Sequence, residues 1–98
     1  MSPDDTGTAA LVQARIDYLE KLGEELLGRG FRARLTVPNG RPPSLHVTNP
    51  DASALTENIL AESGTDGWWF WWSWAERIAV ADDVIGAADQ VVRVLATN

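Results

Sequence analysis

Apolar residues recur at helical spacing in two separate stretches of the chain. Over residues 8–28, Val12, Ile16, Leu19, Leu22, Leu26 and Leu27 form one stripe, which Leu11 and Tyr18 widen. Arg15, Asp17, Glu20, Lys21, Glu24 and Glu25 fall largely outside it. Gly23 sits within this helix, where glycine costs about 1 kcal/mol relative to alanine; a close approach to a sheet would account for it. Gly28 or Gly30 supplies the left-handed stop. Near the other end Val84, Ala88, Val91 and Leu95, with Ile85 and Val92 beside them, predict a second helix. Asp82 and Asp83 open it, at the positive end of its dipole.

Between the helices the period falls to two. Phe31, Ala33, Leu35 and Val37 face one way, and Arg32, Arg34 and Thr36 the other, which predicts a half-buried strand. Pro38-Asn39-Gly40 is a turn, and Arg41-Pro42-Pro43 holds the chain extended. Leu45 and Val47 then point in while His46 and Thr48 point out, and Asn49-Pro50-Asp51 turns again. Residues 52–62 fit a short helix capped by Asp51 or Ser53, or a strand from about Thr56 to Glu62. The strand is preferred, because residues 63–67 then form a hairpin loop into the next segment. Trp68–Trp74 is a strand by propensity. The order α-β-β-β-β-α predicts an α+β fold: a two-layer sandwich, with an antiparallel four-stranded sheet carrying the N- and C-terminal helices on one face. It forms a single domain over residues 8–98, after a disordered tail over residues 1–7.

All five tryptophans lie in GWWFWWSW, residues 67–74. Alternation places Trp68, Phe70, Trp72 and Trp74 on one face and Trp69, Trp71 and Ser73 on the other. The first set is the larger and is expected in the core. Trp69 and Trp71 then occupy a face that should be solvated, as Arg32, Arg34, Thr36, His46 and Thr48 are. Three accounts would satisfy them: cation–π contact with Arg32 and Arg34, cover from the proline-rich loop, or an interface.

Charge and composition narrow the function. The net charge of -6 argues against a general nucleic-acid binder. Arg29, Arg32, Arg34 and Arg41 nevertheless gather half of the eight basic residues, read as solvated charge on a strand face. Without cysteine there is no disulfide or thiolate site, which is compatible with a reducing compartment. Asp4 and Asp5 stand where a secretory signal would be basic, and no apolar run would span a bilayer, so a soluble cytoplasmic protein without membrane contact is expected. The single histidine, His46, gives no metal ligand set. Asp82 and Asp83, adjacent on a helix, do not face each other. Ser73 lacks a nucleophile turn, and Gly64 and Gly67 fit no phosphate loop. Glu76 and Arg77 could form a local ion pair or rim a binding surface. No catalytic residue, metal site or cofactor is assigned. An enzyme built on Glu57, Glu62 or Glu76 near His46 ranks third among the functions considered.

The run FWWSWAERIAVADDV, Phe70 to Val84, with RPPSLHVTNPD, Arg41 to Asp51, resembles segments of small actinobacterial proteins of unknown function. The resemblance implies a bacterial, cytoplasmic domain and no activity, so it transfers no functional residue. The expectation is a non-enzymatic protein-interaction module, a homodimer or the partner of another protein. Trp69 and Trp71 anchor it, flanked by Arg32, Arg34 and His46. The alternative is a small-ligand domain, for a sugar, nucleotide or aromatic metabolite, on the same face.

Overall fold

Each strand of the sheet pairs with its neighbour in sequence. A computed structural model describes residues 3–96 and contains α1 (Pro3–Gly28), β1 (Arg32–Thr36), β2 (Ser44–Asn49), β3 (Ala52–Gly64), β4 (Gly67–Trp72), β5 (Arg77–Val80) and α2 (Val84–Val94). All pairings are antiparallel, in the order β1-β2-β3-β4-β5. The expected α+β architecture is present, with a sheet of five strands rather than four.

The additional strand arises because the aromatic segment is shorter than its composition suggests. β4 stops at Trp72, and the chain turns through Ala75 at φ 69°. The turn closes with Trp72 N–H donating to the Glu76 carbonyl at 2.8 Å and Ala75 N–H to the Trp72 carbonyl at 3.0 Å. Arg77–Val80 then returns alongside β4. Phe70 pairs with Ala79 and Trp71 with Arg77, so Ile78 is the extra residue of a bulge. Residues 52–62 are strand throughout, within a β3 of 13 residues. β3 leads into β4 through Thr65-Asp66, and Gly67 takes φ 101° there, a conformation that glycine adopts without steric cost.

α1 is longer than its apolar stripe. It begins at Pro3, within the segment read as a tail, whose residues 1 and 2 lie outside the described residues. Leu19, Leu22 and Leu26 of α1 are fully buried against Leu45 and Val47 of β2, Ile59 and Ala61 of β3, and Phe70 and Trp72 of β4. Gly23 lies so close to the sheet that a Cβ there would sit 3.2 Å from Leu45 Cδ1, which supplies the expected reason for a mid-helix glycine. Val37, expected to face inward, is exposed. Ala87, Ala88 and Val91 of α2, with Leu95 just past it, complete the core.

Polar contacts fasten the helices. Arg29, just past α1, donates to Asp89 of α2 and to Glu25 at 2.9 Å. Its pKa is raised above the ordinary arginine value, first by the hydrogen bond to Asp89 and then by that to Glu25. Buried Asn49 donates to the Leu95 carbonyl at 2.6 Å and accepts from Asp51 N–H at 2.9 Å, so both ends of its amide are satisfied. Among the described residues no helix is long and apolar enough to cross a membrane.

Asp83 caps α2: its carboxylate accepts from Gly86 N–H at 2.9 Å. Asp83→Ala should cost about 1 kcal/mol, and Asp83→Asn much less, because asparagine also caps well. Urea unfolding would check this, and equal losses in the two variants would remove the cap as the cause.

Candidate functional site

Both helices pack against one face of the sheet, so the other face carries mainly its own side chains, with Arg15 of α1 reaching Glu62 at 2.8 Å. Register arranges them in rows. Arg32, Thr48 and Thr56 form one, and Arg34, His46 and Asn58 the next. Thr36 stands beside Ser44. Further along, Leu60, Trp71 and Arg77 align, then Glu62, Trp69 and Val80. The face is polar over β1 and β2 and aromatic over β4.

Trp69 and Trp71 occupy this outer face, as alternation required, and both are half-buried. Their cover is Arg77. Its guanidinium carbon lies 4.3 Å from the Trp69 ring centroid and 5.3 Å from that of Trp71. Asp66, in the β3–β4 turn, accepts from the same guanidinium at 3.0 and 3.4 Å. One cation therefore bridges two indoles and the hairpin tip. Cation–π contact with Arg32 and Arg34, one of the three accounts that would satisfy these indoles, does not form. Those arginines are on β1, separated from β4 by β2 and β3, roughly 14 Å at the usual strand spacing. The indole N–H of Trp69 is buried without an acceptor among the described residues.

Trp74 departs from the expected pattern. Alternation expects it in the core with Trp68, Phe70 and Trp72, yet it is 48% exposed. It lies past the end of β4, and the turn folds its ring flat onto Trp72, with centroids 4.8 Å apart and planes 6° from parallel. Its indole N–H donates to Glu76 at 2.9 Å. Trp68 leans on Tyr18 of α1, with ring centroids 5.3 Å apart.

The remaining candidates divide between elements. His46 Nδ1 lies 2.8 Å from Asn58 Oδ1. None of the three carboxylates considered with it is its partner. Glu62 accepts from Arg15 at 2.8 Å, Glu76 from Trp74, and Glu57 faces the helices in register with Val47. Glu76 and Arg77 likewise pair with Trp74 and Asp66, not with each other. Among the described residues no three potential metal ligands come together. An open groove of about 490 Å³ lies on the outer face. Thr36, Ser44, Asn58, Leu60 and Ser73 line it, and Pro38, Arg41 and Pro42 form one wall. The proline-rich loop thus borders this groove, while Arg77 covers the indoles.

No family model matches the chain. Comparison with curated proteins and with solved structures gave no match either.

Leu60 is the site residue that the sequence does not single out, while Arg77, expected as part of a local ion pair or as the rim of a binding surface, lies over both indoles. Arg77→Ala should cost about 1–2 kcal/mol, shared between two cation–π contacts and an exposed ion pair. It should also shift tryptophan emission to the red as water reaches both rings, while Arg77→Lys retains part of each effect. Urea unfolding and fluorescence would test this. Unchanged stability and emission in Arg77→Ala would mean that the guanidinium is no cover.

Proposed function

We propose that the chain is a non-enzymatic interaction module that binds a protein surface, a second copy of itself included, through the outer face of its sheet. One observation carries this reading: two half-buried indoles under a single arginine lie on the sheet face opposite the one against which the helices build the core. Tryptophan and arginine are the residues that most often dominate protein–protein binding energy. Leu60 beside Trp71 and the partly exposed Val80 beside Trp69 extend the apolar area, and the Arg34–His46–Asn58 row gives it a polar rim. A reducing cytoplasm is the proposed setting, which the cysteine-free sequence suits.

Light scattering coupled to size-exclusion chromatography, over a range of concentrations, is the direct test. Trp69→Ala, Trp71→Ala and the surface change Val80→Glu should each weaken self-association or partner capture by roughly tenfold or more. Folded variants that leave assembly and every captured partner unchanged would end this reading.

The groove beside Trp71 favours a second reading, a small-ligand site. Its hydroxyl and amide lining next to an indole suits a sugar, nucleotide or aromatic metabolite. Such a ligand should quench tryptophan emission saturably in the parent protein and much less in Trp71→Ala. A flat response across all three classes would remove it.

A further inference from the structure

A different surface lies at the free edge of β1. Among the described residues no strand pairs with it on the side away from β2, so alternate backbone N–H and C=O groups face outward there. Directly below the edge, between β1 and α1, is a groove of about 240 Å³ lined by Gly23, Leu27, Ala33, Leu35 and Leu45. Gly23, Ala33 and Leu45 form its floor, where α1 approaches the sheet closely. Leu27, at 55% exposure, forms its rim. On the opposite side of the strand Arg32 and Arg34 are exposed, and neither takes part in an ion pair among the described residues. Arg29, of the same basic cluster, is already engaged with Glu25 and Asp89.

We infer that the β1 edge and the groove beneath it form a docking site for an extended peptide of another protein, one that adds as a sixth strand and alternates acidic with apolar residues. An added strand turns successive side chains to opposite faces. One set drops into the groove, where aliphatic side chains fit the apolar lining. The other set lies directly opposite Arg32 and Arg34, close enough for cross-strand charge pairing. Glu20 and Glu24 line the helix side of the groove and disfavour acidic residues on the inward set, which fixes the register. A second copy of β1 does not fit: antiparallel self-pairing would bring arginine toward arginine across the new ladder, a destabilising arrangement. The opposite edge, β5, is shorter and carries the Ile78 bulge, which interrupts pairing. This site shares only Arg34 with the polar rim proposed for the aromatic face, and shifts centred on residues 32–36 or on Trp69 and Trp71 tell the two apart.

The test uses the full chain and two end-capped heptapeptides, one alternating Val with Glu and the other Val with Lys. Amide shifts in two-dimensional NMR would be followed during titration. The Val/Glu peptide should bind saturably and roughly tenfold more tightly than the Val/Lys peptide, as two exposed charge pairs would allow. Its shifts should centre on residues 32–36 and on Gly23 and Leu27, and the preference should weaken with added salt. Arg32→Glu/Arg34→Glu, both on exposed positions, should reverse the preference, and Leu27→Asp should weaken both peptides. Circular dichroism would confirm that each variant is folded. No preference between the peptides, or shifts centred on Trp69 and Trp71, would overturn the inference. So would a folded Arg32→Thr/Arg34→Thr variant that self-associates while the parent ignores both peptides, because the arginines would then serve only to prevent edge-to-edge pairing.

Discussion

With both helices on one face of the sheet, large aromatic rings on the other face gain from the cover of a side chain or of another molecule. That constraint explains Arg77. Its guanidinium lies over Trp69 and Trp71 while its charge is met by Asp66 in the β3–β4 turn. The planar cation covers aromatic surface and keeps its hydrogen-bonding edge toward carboxylate and water. The bulge at Ile78 aligns Arg77 with Trp71, so the irregularity in β5 is also what sets the cover in place.

The concentration of tryptophan in one strand follows from the same asymmetry. Phe70 and Trp72 supply bulk to a core whose helices contribute mainly leucine, valine and alanine. Trp69 and Trp71 give the uncovered face a flat apolar floor. Trp74 belongs to neither group: its ring lies on Trp72 at the corner where the chain leaves the sheet. The five indoles thus have three environments within a few residues.

Much of this was legible in the sequence. Period-two alternation gave the faces of β1, β2 and β4, including the outward phase of Trp69 and Trp71. Helical spacing gave both helices, and Asp83 marked the start of α2. The end of β4 was not legible, because the turn at Ala75 holds neither glycine nor proline and leaves a run of aromatics unbroken. Missing that turn concealed β5 and misplaced Trp74 together. The aromatic cover was unreadable for another reason. Arg32 and Arg34 had the right chemistry, but strand order places them at the far side of the sheet, and sequence spacing carries no strand order. The groove under β1 depends on how closely Gly23 approaches Leu45, which only packing reveals.

The meander order also bears on how the chain reaches this structure. Every strand pairing joins sequence neighbours, so each hairpin can form after closing only a short loop, and little chain entropy is lost before contacts reward it. The contacts of greatest sequence separation are those of the helices and their flanks: Arg15 to Glu62, Arg29 to Asp89, and Asn49 to the Leu95 carbonyl. Such a topology, low in contact order within the sheet, favours rapid folding. The contacts that clasp the helices over one side of the sheet are the ones that close the longest stretches of chain.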